Sequence, residues 1–252
     1  SKASLQYRKA FAKHTPEKYA QFITDVKSDK TKINASALFP YEIYEKARSY
    51  GESSETLDVL WDSLPDYFGD NKRNILPIAD CSLSMNSGIP HGRPMAIAVS
   101  LTIYIAERNK GIFKDYFITY SETPVLQKIV GKNIREKIAC IEKQRHINTN
   151  IQAVFDLILD QAISNEVSKE DMPEQIILLT DCEFDQPLNK GKTNHEEIKD
   201  KFNQAGYELP SLVYWNLKSK INNVPVKANE NGVVLVSGGS PSVIKSLLSG
   251  NE

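Results

Sequence analysis

Six short apolar runs, most of them separated by stretches of helical periodicity, constrain this chain more than any other feature. They are Ile75–Ala79, Tyr116–Tyr120, Val125–Val130, Gln175–Thr180, Leu212–Asn216 and Val233–Val236. Helical patterns lie near 93–108, 133–143, 150–164, 196–205 and 241–249. Strands alternating with helices imply right-handed crossovers and a mainly parallel sheet covered on both faces. Ile176-Ile177-Leu178-Leu179 suits that place, because a strand buried on both faces has no reason to alternate with polar residues. Only Ser121-Glu122-Thr123-Pro124 separates Tyr116–Tyr120 from Val125–Val130, so these two runs predict a hairpin that adds one antiparallel strand at an edge. The expected fold is therefore α/β: doubly wound, mainly parallel and six-stranded, with one antiparallel edge strand.

A helical segment leads this sheet. Tyr19, Phe22, Ile23 and Val26 recur at helical spacing after Pro16, which suits a first turn. Pro40 opens another helix through Ile43, Tyr44 and Ala47, with Gly51 placed to end it, and Leu57, Leu60, Trp61 and Leu64 mark a further one before Pro65. The charged stretch Asp70-Asn71-Lys72-Arg73 reads as the junction, giving a helical segment over 1–72 and an α/β domain over 73–252. The pattern at 93–108 is apolar nearly all round, which predicts a helix buried on every side.

Two of the strands end in aspartate. Ile78-Ala79-Asp80-Cys81-Ser82-Leu83-Ser84 leaves one, Leu178-Leu179-Thr180-Asp181-Cys182-Glu183 leaves another, and Thr149 immediately precedes the most regular helix. In open α/β sheets ligands sit beyond the carboxyl ends of the strands, so these pieces are expected on one rim. Together they offer two carboxylates and three hydroxyls. A hard cation such as Mg2+ takes about six oxygens and uses few carboxylates, and the lack of His or Cys at ligand spacing argues against zinc.

Asp80-x-Ser82-x-Ser84, a later Thr149 opening a helix, and Leu-Leu-Thr-Asp181 ending a strand resemble the metal-ion-dependent adhesion site of von Willebrand factor A-type (vWA) domains, over roughly residues 73–240. The resemblance implies Ser82 and Ser84 as direct ligands, Thr149 direct or through water, Asp80 and Asp181 holding coordinated water, and a partner supplying the last oxygen. Mg2+ is the expected ion, with Mn2+ or Ca2+ as alternatives. Two positions depart from the pattern: Cys182 follows the last Asp and Asn148 precedes Thr149, where the family usually has Gly. The helical lead-in with Phe39-Pro40, the start Gly92-Arg93-Pro94-Met95 and the turn Asp181-Cys-Glu-Phe184-Asp185 further resemble an uncharacterised family of plants, giant viruses and bacteria. That family is similar to the Ro ribonucleoprotein, in which a vWA domain is joined to an RNA-binding ring of helical repeats. About seventy helical residues lead this chain, far short of such a ring.

Plainer readings accompany several of these residues. Thr149-Asn150-Ile151-Gln152 also reads as a capping box, a role compatible with metal binding. Cys81 and Cys182 each follow a motif Asp, which fits a redox pair or, more simply, small buried thiols. His91, Arg145, His146 and Glu183 are expected at the rim, where they would meet a partner. Lys132, Arg135, Lys137, Lys143 and Arg145 form a basic stretch that suits either an acidic partner or a solvated helix face. Ser237-Gly238-Gly239-Ser240-Pro241 lacks the Lys of a P-loop and reads as a strand-to-helix turn.

The functional expectation is a non-catalytic binding module whose ion bridges to an Asp or Glu of a protein partner. RNA association is the alternative, and a Mg2+-dependent phosphohydrolase, which would need a second Asp where Ser82 stands, is a lower one. A net charge of -1 gives no whole-chain field for nucleic acid or anionic membrane. With three cysteines and no CxxC, and no apolar run approaching the ~20 residues that span a bilayer, the expected location is intracellular and cytoplasmic, without membrane contact. Starting at Ser1 rather than Met, the chain is expected to be an excerpt of something longer.

Overall fold

The computed structural model describes residues 2–49, 54–69, 73–86, 93–144, 150–181, 194–218, 233–238 and 241–249. Six strands form one sheet: β1 (Ile75–Ala79), β2 (Tyr116–Thr119), β3 (Leu126–Lys128), β4 (Gln175–Thr180), β5 (Ser211–Asn216) and β6 (Val233–Ser237). Their order is β3-β2-β1-β4-β5-β6, with every pair parallel except β2 with β3. The hairpin and its antiparallel edge strand thus stand where the spacing of the two runs puts them.

Pro77 lies in a central strand, where a missing N–H normally breaks a ladder. Asp80 N–H bonds to Leu179 O on the β4 side and Ala79 O accepts from Tyr120 N–H on the β2 side, so Pro77, two residues from Ala79, takes a β2-facing slot. The β1–β2 register starts only at Ile78↔Ile118, and the proline therefore sits before that ladder begins.

Nine helices are described: α1 (Lys2–His14), α2 (Pro16–Lys27), α3 (Pro40–Ala47), α4 (Ser54–Asp62), α5 (Pro94–Arg108), α6 (Ile134–Glu142), α7 (Ile151–Ser164), α8 (Asn194–Gln204) and α9 (Pro241–Ser249). Alternate strand residues feed two cores. Ile75, Phe117, Ile177, Leu179, Val213 and Trp215 join α5, α6 and α9 on one face. Leu76, Ile78, Ile118, Ile176, Leu178 and Leu212 join α7 and α8 on the other. This two-sided burial is the reason β4 carries no polar alternation.

On α5 every residue from Pro94 to Ala106 is buried. The sheet covers one side, and α3 and α6 pack against it from the other. Leu38, Ile43, Leu57, Leu60 and Trp61 of the leading segment belong to the same apolar cluster as α5. Polar groups pin that contact: Arg93 bonds Glu45 at 3.1 and 2.8 Å, Trp61 Nε1 donates to Glu107 at 2.7 Å, and Tyr44 and Arg48 both reach the buried Glu142 of α6. Asp58 accepts the Ile134 N–H at 2.8 Å at the first residue of α6. Gly51 and the junction residues 70–72 lie outside the described residues, and α3 ends at Ala47.

Candidate metal site

The β1–β4 ladder pairs Ala79 with Leu179, so the residues that follow, Asp80 and Thr180, lie side by side at the carboxyl edge of the sheet. The strand order reverses here, since β2 and β3 extend to one side of β1 while β4, β5 and β6 extend to the other. Such a reversal opens the crevice in which α/β sheets bind ligands.

Asp80 is 0 % exposed and organises the turn after β1. Its Oδ1 accepts the Ser82 N–H at 2.9 Å and its Oδ2 accepts the Thr180 hydroxyl at 2.5 Å. Burial pushes the Asp80 carboxyl above its ordinary pKa; the bonds from Thr180 and Ser82 pull it back, and the neighbouring Asp181 carboxylate pushes it up again. Held this way, the chain enters one 3-10 turn, Leu83–Asn86, with Met85 buried beneath it and Ser84 at the surface. Ser82 and Ser84 then present their hydroxyl oxygens 2.9 Å apart. Ser84 Oγ also donates to Asp181 Oδ1 at 2.9 Å, which ties the turn after β1 to the end of β4.

Four of the expected ligands, Asp80, Ser82, Ser84 and Asp181, therefore meet at one point. The fifth, Thr149, lies outside the described residues, as do His91, Arg145, His146, Glu183 and Cys182. One expectation needs correction. The N-cap of α7 is Asn150, whose Oδ1 accepts the Ala153 N–H at 3.1 Å, one position after the cap that the capping-box reading used. The reason is that the helix begins at Ile151, one residue later than a capping box opened at position 149 requires.

Two contributors escaped the sequence reading. Thr180 is the donor to Asp80; a lone hydroxyl at the end of an otherwise apolar buried strand was the available signal. Lys218 stands two residues past β5 and ion-pairs with Asp181 Oδ2. That oxygen is buried and takes no hydrogen bond from a described group, so the ammonium is its compensation.

The basic stretch is partly spent inside the molecule. Arg135 bonds the backbone oxygens of Ala47 and Ser49, and Lys137 pairs with Glu107 at 2.6 Å. Cys81 and Cys140 are buried, as small packed thiols are. Among the described residues no cluster of three or more His, Cys, Asp or Glu side chains could hold a metal, so the candidate site depends on its hydroxyls. No described helix is long and apolar enough to cross a membrane.

Comparison with solved structures fits this architecture. The Ro (RSR) protein of Deinococcus radiodurans superposes with a TM-score of 0.54 at 13% identity, over 94% of this chain and 49% of that one. The SpRpn10 VWA domain aligns over 70% of this chain and 93% of its own, at 11% identity and a TM-score of 0.42. The fold is thus similar to that of the Ro protein. In sequence, "Uncharacterized protein L728" of Acanthamoeba polyphaga mimivirus is 30% identical over 239 residues, covering 93% of this chain. The chain spans only 41% of the length of that relative and about half of the Ro protein. The family model described as "Domain of unknown function (DUF7788)" matches residues 74–252, and the chain belongs to that family.

Proposed function

We propose that this chain is a metal-ion-dependent binding module, in which Ser82 and Ser84 hold a divalent ion directly, Thr149 holds it directly or through water, and Asp80 and Asp181 hold its coordinated water. The observation that carries the reading is the convergence of Ser82 Oγ, Ser84 Oγ and Asp181 Oδ1, linked in sequence by contacts of 2.9 Å, at the point where the strand order reverses. The donor set is all oxygen and mostly neutral, which fits Mg2+ in preference to Zn2+, with Mn2+ or Ca2+ as alternatives. Bound there, the ion would act as a Lewis acid toward an anionic oxygen from outside. An Asp or Glu of a protein partner is the proposed source of that oxygen. Leu83, 65% exposed between the two serines, offers the partner an apolar contact beside the charged one.

Binding is preferred to catalysis because, among the described residues, the site has no carboxylate placed as a base. Asp80 is fully buried with both oxygens accepting hydrogen bonds, and Asp181 is tied to Ser84 and Lys218. RNA association draws less support, since Arg135 and Lys137 of the basic stretch are engaged within the molecule.

The test is calorimetric titration of Mg2+, Mn2+ and Ca2+ into the wild type, Asp80→Ala and the double variant Ser82→Ala/Ser84→Ala. Saturable binding by the wild type and at least about tenfold weaker binding by both variants supports the reading. Absence of binding by the wild type ends it.

A further inference from the structure

Lys218 is placed by the sheet. β5 runs beside β4 with Asn216 level with Thr180, and the Leu217 N–H donates to Thr180 O at 2.9 Å, continuing the ladder one residue past the strand. The Lys218 N–H then donates to Asn216 Oδ1 at 2.9 Å, which turns the chain, and the fully buried Leu217 anchors that turn. The Lys218 side chain reaches back to Asp181 Oδ2 from there. The two ends of the pair differ in surroundings. Asp181's side chain is 1% exposed while that of Lys218 is 27% exposed, so the carboxylate is fixed and the ammonium has an outlet to solvent.

A buried carboxylate without a counter-charge is costly, and here the carboxylate is one of a pair, with Asp80 close by. Some cation has to stand against them. Resting on the metal-binding reading above, we propose that Lys218 is a built-in counter-cation that holds Asp181 in the ion-free state and gives it up when a divalent ion loads. The consequence is a site that stays folded without metal yet takes up metal more weakly than its oxygen donors alone would. A second positive charge beside Lys218 is repelled at short range, and release of the ammonium to water has to accompany loading. Metal occupancy, and with it partner binding, is thereby set by the free ion concentration instead of being permanent.

The experiment compares wild type, Lys218→Met, Lys218→Gln and Lys218→Arg by Mg2+ titration calorimetry and by thermal unfolding with and without saturating Mg2+. Lys218→Met and Lys218→Gln are expected to bind Mg2+ at least about tenfold more tightly than wild type. Lys218→Arg, which keeps the charge, stays near wild type. Without Mg2+ the two neutral variants melt below wild type, and saturating Mg2+ closes the gap. Lys218→Gln carries the test if Lys218→Met does not fold, because its amide can donate a hydrogen bond to the carboxylate. Equal or weaker Mg2+ binding by the neutral variants overturns the counter-cation role while leaving the metal site intact. Absence of Mg2+ binding in every variant, wild type included, overturns the metal site and this role with it.

Discussion

Thr180→Val isolates the least obvious part of the site, because it removes one hydroxyl and nearly preserves shape. Thr180 and Asp80 are each 0% exposed, and the hydroxyl donates to Asp80 Oδ2 at 2.5 Å. Water is not available to replace the lost donor. A hydrogen bond to a charged acceptor contributes about 1.5–3 kcal/mol, and the extra apolar surface of valine in the core returns a fraction of that. A net loss of about 2 kcal/mol is expected, which for a chain of this size lowers the melting temperature by roughly 4–8 °C. Asp80 keeps the Ser82 N–H, so the turn after β1 survives in a looser form and Mg2+ affinity falls together with stability. Thr180→Ser separates the two contributions: it keeps the donor, loses a methyl group, and should retain Mg2+ affinity at a cost of about 1 kcal/mol. Urea unfolding and Mg2+ titration of the three proteins measure both quantities. A Thr180→Val protein within about 0.5 kcal/mol of wild type and equal in Mg2+ affinity would show that Asp80 does not depend on this bond.

Three further outcomes concern the scaffold. Glu142→Ala strips the acceptor from the buried Tyr44 hydroxyl and from Arg48; since Arg48 is 45% exposed, the tyrosine supplies most of the expected loss of about 2–3 kcal/mol, read from the urea midpoint. Gly111→Ala would put its Cβ 2.3 Å from Asn74 Cγ, and Asn74 is committed to Asp171 O at 2.9 Å and to the Asn109 amide, so a loss above about 1 kcal/mol is expected in the same assay. A chain cut to residues 74–252, the span of the family match, uncovers the apolar side of α5 and should aggregate or self-associate in sedimentation, where a stable monomer would contradict the packing argument.

The sheet was legible because its pattern was set by burial. β1 and β4 are buried from end to end and stand out as unbroken apolar runs, and the short link at 121–124 leaves no room for a crossover helix between β2 and β3. The aspartates and serines were legible as a spaced set, since strand ends predict where they meet. Lys218 was not. Its role depends on β5 lying next to β4, which is a fact of strand order rather than of local sequence, and a lysine two residues past a strand looks like any solvated side chain. The cap of α7 was misplaced by one residue because Thr149 and Asn150 are both good capping types, and only the actual start of the helix decides between them. The basic stretch before Thr149 misled for a similar reason: periodicity shows a charged face, but not that Arg135 is turned against the end of α3 and Lys137 against Glu107 of α5.

Those leading helices bear on the site through α5. The turn that carries Ser84 rests on Met85, which is 0% exposed and packs in the same apolar cluster as Met95, Ala96 and Val99 of α5. At its start α5 is fixed by Arg93, whose guanidinium makes a two-pronged bond to Glu45 of α3. A displacement of α3 is therefore felt at the first turn of α5, and from there at the floor beneath Ser82 and Ser84. Close packing transmits such shifts because it leaves few voids to absorb them. Ligand hydroxyls need to be held within a fraction of an ångström to present a fixed octahedral face to an ion. On this geometry the helices before residue 70 form the outer support of the turn that carries Ser82 and Ser84, and the α/β sheet alone does not complete it.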